Sequence, residues 1–133
     1  MKEHFILITP ENAVKGVTTE NPGLDFYYEQ VGCQSIEIVR ISRTRAKHVL
    51  VVDEEGLLKE NPQLNAIASL LAMQPIYGNA LLAKDDLRNG EPDIVGFDLK
   101  EALASLAALH VALIGSGHFE VDNERGKDND RNN

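Results

Sequence analysis

The sequence predicts an α+β domain, a mostly antiparallel five-stranded sheet with helices on one face, in the order β-β-α-β-β-α-β-α. Three observations predict it. Short β-rich runs come in pairs, Phe5–Thr9 with Ala13–Thr19 and Ser35–Ile41 with Lys47–Val52. Apolar residues at i, i+3, i+4 and i+7 punctuate them, at Leu24, Tyr27, Tyr28 and Val31 and again at Leu64, Ile67, Ala68 and Leu71. A chain of 133 residues, 43% hydrophobic and 26% charged, has the size and composition of one folded unit with its own core.

Each element has a local cause. Phe5-Ile6-Leu7-Ile8-Thr9 is a β-favouring run closed by Pro10-Glu11-Asn12, hence strand then turn. Ala13–Thr19 returns as its hairpin partner, weakened by Gly16. Pro22 before the first helical spacing and Gly32 just past it mark the start and stop of a short helix. Ser35–Ile41 puts Ile and Val on both faces, and Lys47–Val52 is continuously apolar after its first residues, the pattern of a central strand. Asp53-Glu54-Glu55-Gly56 turns the chain, and either Asn61 or Asn65 caps the second helix. Tyr77–Ala83 reads as the fifth strand, with Gly78 at a bulge or close contact, and Asp85–Pro92 as loop. Asp98 and Glu101 have capping-box spacing. The last helix follows, with Leu99, Ala102, Leu103, Leu106, His110, Leu113 and Ile114 on its apolar face and Gly115 and Gly117 expected to stop it. Residues 1–119 are expected to form one domain and residues 120–133 a disordered polar tail.

Charge and composition exclude several functions. Thirteen basic residues against 21 acidic ones give a net charge of −8, of which residues 120–133 contribute −2 and the domain the rest. Such a surface disfavours long nucleic acids and anionic membranes. One cysteine, Cys33, excludes an intramolecular disulfide framework and any all-cysteine metal site. No apolar run approaches the roughly 18–20 residues that cross a bilayer, and the first residues lack a secretory signal, so a cytoplasmic location is expected.

Catalytic motifs are missing: no P-loop, H-E-x-x-H, C-x-x-C or G-x-S-x-G pattern occurs. The histidines His4, His48, His110 and His118 have no ligand-like spacing, and His110 is expected to be a core or interface residue. Cys33 lacks an evident base, so it reads as a packing or neutral surface residue. Asp53, Glu54 and Glu55 could serve a cation or acid–base chemistry, though an acidic turn explains them. No cofactor, metal or catalytic residue is expected. The most suggestive feature is a basic arm, Arg40, Arg43, Arg45, Lys47 and His48, in an acidic chain. Alternate residues of an extended arm point the same way, so Arg43, Arg45 and Lys47 can converge on one anion.

Three stretches between Val31 and Leu82 form a further pattern: Val31-Gly32 with Ile36-Glu37-Ile38-Val39, Leu50-Val51-Val52-Asp53-Glu54-Glu55-Gly56-Leu57-Leu58, and Leu64-Asn65-Ala66-Ile67-Ala68 with Ile76-Tyr77-Gly78-Asn79-Ala80. In these residues the chain resembles the uncharacterised bacterial and phage family named domain of unknown function 3846. Cys33 stands where the family usually has glycine. The resemblance implies a small accessory protein of phages or mobile elements, and it singles out Glu54, Gly56, Asn65 and Gly78.

Together these readings lead to an expected non-enzymatic binding protein that sequesters a small anionic, nucleotide-like ligand in a counter-defence role. Its expected ligand residues are Arg40, Arg43, Arg45, Lys47, Glu54 and Asn65. The alternative is an interaction inhibitor or adaptor acting through the last helix. A host protein and a second copy stay open as partners; an enzyme built on Glu54 and His48 ranks last.

Overall fold

Strand β4, His48–Asp53, carries four consecutive apolar residues, Val49 to Val52, and all four are buried. Burial on both sides sets the architecture around it. The computed structural model describes residues 2–41, 47–86 and 93–121, with side chains as far as 112. Its elements are β1 (Glu3–Ile8), β2 (Val14–Thr19), α1 (Leu24–Val31), β3 (Ile36–Arg40), β4, a 3₁₀ turn (Gly56–Leu58), α2 (Ala66–Ala72), β5 (Ala80–Asp85), β6 (Ile94–Val95) and α3 (Leu99–Val121). The fold is α+β. The sheet runs β2-β1-β5-β4-β3, antiparallel throughout, with β6 pairing the end of β5.

Directly opposed residues share a face, which gives two rows across the sheet. Leu7, Leu81, Val51 and Ile38 lie on one, and Ile6, Leu82, Leu50 and Val39 on the other. Helix α1 covers the first face with Phe26, Tyr27 and Val31. Phe5 meets the rings of Phe26 and Tyr27 at centroid distances of 5.1 and 5.9 Å. On the second face Phe97 stands edge-on to His48 at 5.4 Å, and Glu101 holds Lys84 at 2.9 Å. Phe97 and the start of α3 thus cover part of the second face, as strands apolar on both sides require.

Several boundaries differ from expectation. Helix α2 begins at Ala66; Leu64 precedes its cap and bridges Tyr77 instead. Strand β5 begins at Ala80, since Gly78 takes φ 88 and breaks the extended run after Tyr77. Strand β6 was not expected: two residues are too few for alternation to register. It fills the gap where β1 leaves β5, and Phe97 and His4 then exchange backbone bonds of 3.0 and 2.7 Å. Gly96 makes this possible, for a Cβ there would stand 2.8 Å from the His4 carbonyl. Helix α3 continues through Gly115 and Gly117 to Val121, a correction to the expected stop. A glycine inside a helix costs only about 1 kcal/mol, and the segment before it is rich in Ala and Leu. Glu120 and Val121 thus belong to α3, and the rest of the expected tail lies outside the described residues. The chain divides into two compact units, Met1–Ala102 and Leu103–Asn133.

Candidate functional site

Strand alternation aims Ile36, Ile38 and Arg40 toward the face that α1 covers. Because α1 is only eight residues long, it leaves the outer part of that face uncovered. The result is a groove of about 640 Å³ lined by Leu24 and Tyr27 of α1, by Ile36, Ile38 and Arg40 of β3, and by Ile94 of β6, with Glu3 and Asp93 among its acidic residues. Its floor is apolar, and Arg40 is the one cation among its described lining residues.

Arg40 is oriented from below. Its Nη1 donates to Oδ2 of Asp85, whose side chain is 2% exposed against 58% for Arg40. Asp85 Oδ1 also accepts the Asp93 N–H at 3.3 Å, and the Asp85 N–H donates to the Lys47 carbonyl at 2.8 Å. This one carboxylate therefore ties Arg40 to the start of β6. Tyr27 closes the other wall, its hydroxyl donating to the Ile94 carbonyl at 2.8 Å. Burial first, then Glu3 and Asp93, push its phenol up to about 12. It serves as a hydrogen-bonded wall and has no acid–base role near neutrality.

The other expected site residues are distributed unequally. Lys47 is exposed, beside Asp85 and on the same face as Arg40. Arg43 and Arg45 lie outside the described residues. Glu54 follows β4 at its far end, about 17–20 Å from the arm at roughly 3.3 Å per residue. It accepts from the Ser35 hydroxyl while its N–H donates to the Ser35 carbonyl at 3.0 Å. Asn65 is fully buried. Its Oδ1 caps α2 by accepting the Ala68 N–H at 3.1 Å, and its Nδ2 donates to Ile8 and Gly78 carbonyls at 2.9 and 2.8 Å. Arg40 and Lys47 therefore come together, whereas Glu54 and Asn65 stand elsewhere with structural partners. Asp85, Glu3 and Tyr27 were not foreseen, since they reach the groove from distant segments with no shared motif.

The remaining candidates are explained locally. Burial pushes the Cys33 thiol up, so the reactive thiolate is disfavoured. Burial lowers the His48 pKa, Glu101 opposing and Lys84 assisting, so its ring is neutral against Phe97. His110 is exposed on α3, a correction to the core position expected for it. Asp53 accepts the Glu55 N–H at 2.9 Å and meets Lys59 Nζ at 3.3 Å. Among the described residues, no three His, Cys, Asp or Glu side chains are grouped to hold a metal, and no helix is long and apolar enough to cross a membrane.

A family model described as Domain of unknown function (DUF3846) matches residues 1–102. The match extends beyond Val31–Leu82 to take in β1, β2 and the start of α3, and it coincides with the first compact unit. No curated protein matches the chain. Among solved structures it is similar to one described as small RNA methyltransferase HEN1, at 22% identity and a TM-score of 0.57. The alignment covers 74% of this chain and 15% of that one, so the likeness concerns the fold alone.

Proposed function

We propose that this chain, which belongs to the DUF3846 family, is a non-enzymatic binding protein that sequesters a small, nucleotide-like anionic ligand. The anionic end would meet Arg40 and Lys47, and the body would lie along the groove between α1 and β3. One observation carries the reading: a half-exposed guanidinium, anchored by a buried carboxylate, at an apolar groove of about 640 Å³. An arginine held at one Nη presents its other donors in a set orientation, which suits a phosphate or carboxylate. An apolar bed with a few placed polar groups suits a ring system. Stoichiometric capture of a signalling nucleotide is the counter-defence role we assign to it.

Calorimetric titration with cyclic and linear nucleotides tests the proposal. Heat is expected with at least one of them. Arg40→Lys, which keeps the charge beside Asp85 but loses the fork, should weaken that binding about tenfold. No heat with the wild type, or equal affinity in both proteins, would refute it.

An adaptor acting through α3 is the second reading, favoured by Leu103 and Val111, which are 57% and 68% exposed. Light scattering of the full chain against a truncation before Asp98 separates the two: loss of association on truncation supports the adaptor.

A further inference from the structure

Helix α2 reads AIASLLA, with no charged residue, yet it is buried only along one side, at Ile67 and Ala68. A short helix covered on one side ordinarily turns polar residues outward. Here apolar side chains face solvent instead, and neighbouring segments continue the pattern. Leu57 and Leu58 on the 3₁₀ turn are 62% and 79% exposed, Leu64 is 53% exposed, and Met73 is 69% exposed. These segments adjoin one another. Leu57 shares a hollow of about 350 Å³ with Pro75 and Ile76, Leu64 bridges Tyr77, and Gly56 lies so close to the Tyr77 carbonyl that a Cβ would stand 2.7 Å from it. Scattered exposed leucines mean little, but a contiguous set marks an interaction surface.

Met73 adds a second observation. It takes φ 59 at the C-cap of α2, where glycine would be unstrained. The chain accepts a strained methionine there and turns its side chain outward. Methionine is a common adaptable contact on binding surfaces.

The charges around this face indicate what it would meet. From Asp53 to Ile76 there are four carboxylates, Asp53, Glu54, Glu55 and Glu60, and a single lysine, Lys59, held 3.3 Å from Asp53. Glu37 of β3 joins Asp53 and Glu54 in lining the hollow. We propose that this face docks a basic amphipathic helical segment of a partner protein. The segment's apolar side chains would rest on Leu57, Leu58 and Met73, and its lysines or arginines would face Glu37, Glu54 and Glu60. Residues 103–133 do not have that chemistry, since they carry five acids against three bases. A second copy, at −8, would set like charges against each other.

Fluorescence anisotropy with two labelled model peptides of about five helical turns, one of leucine and lysine and one of leucine and glutamate, tests this. The wild-type protein should bind the first and not the second. Leu58→Ser and Met73→Gly should each weaken binding about tenfold. Met73→Gly should also unfold at the same or a higher temperature, which separates loss of the side chain from loss of the fold. Three outcomes would overturn the proposal: equal binding of both peptides, undiminished affinity in both variants, or a concentration-dependent dimer that Leu58→Ser abolishes.

Discussion

The guanidinium of Arg40 stands half in solvent, while Asp85, the carboxylate it binds, is buried at the end of β5. The pair is unequal in consequence. Removing Arg40 takes the cationic partner from a buried carboxylate that keeps the Asp93 N–H, so Arg40→Ala should cost about 2–3 kcal/mol. In a double-mutant cycle by urea unfolding, Arg40→Ala should cost clearly less in an Asp85→Asn background. Equal costs in both backgrounds would contradict the coupling.

Asn65 joins three segments through one side chain, whose short amide offers an acceptor for the Ala68 N–H together with donors for two carbonyls. Asn65→Ala should destabilise by about 3 kcal/mol through the lost cap and two unpaired carbonyls. Asn65→Asp should be worse at neutral pH, since it keeps the cap acceptor but turns a carboxylate oxygen toward the Ile8 and Gly78 carbonyls. Denaturation midpoints ordered wild type, Ala, Asp are the expected result.

Three glycines should respond differently to alanine. At Gly56 a Cβ would meet the Tyr77 carbonyl at 2.7 Å, and at Gly96 it would meet the His4 carbonyl at 2.8 Å. Both contacts are with backbone, so each substitution should cost about 2–3 kcal/mol. Gly23 has an extended backbone and nothing within 4 Å of a Cβ, so Gly23→Ala should leave the melting temperature nearly unchanged.

The pH dependence of stability should have a component from His48. Burial lowers its pKa in the folded protein from the ordinary 6.5. As pH falls, the unfolded chain takes up that proton first. The His48 contribution is therefore complete above 6.5 and is lost as pH falls from there through the lower folded value. Glu101, lowered by the Asp98 N–H and by Lys84, acts in a separate window below 4.5. Urea unfolding across this range should show His48→Gln less stable overall but flatter in the window that opens as pH falls below 6.5. An unchanged slope in that window would refute the assignment.

Much of the fold was legible because the signals were local. Asp98 and Glu101 form the reciprocal box their spacing indicated, with bonds of 2.7 and 3.0 Å. Lys47–Val52 covers most of β4, an interior strand of the sheet, as its apolarity after the first residues implied. What escaped was decided at a distance. Strand β6 exists because β1 diverges and leaves β5 an open edge, and no property of Ile94 or Val95 announces that. In the candidate site, alternation along β3 fixes which way Arg40 points, whereas Asp85, 45 residues away, is found only once the sheet is assembled. The apolar exposure of Leu58 and Met73 escaped for the same reason, since a leucine or methionine reads as core until its surroundings are known.

Strand β1 sits inside the sheet, yet its neighbour β5 begins about seventy residues later, and Glu3 accepts the N–H of Gly96 at a separation of 93 residues. During synthesis on a ribosome, the β1–β2 hairpin therefore emerges long before the strand that completes it. At typical elongation rates it waits several seconds with Phe5, Ile6, Leu7 and Ile8 uncovered. Folding of this domain is committed only when residues 80–97 leave the exit tunnel, and a pause placed before that point would lengthen the exposure of a sticky nascent hairpin.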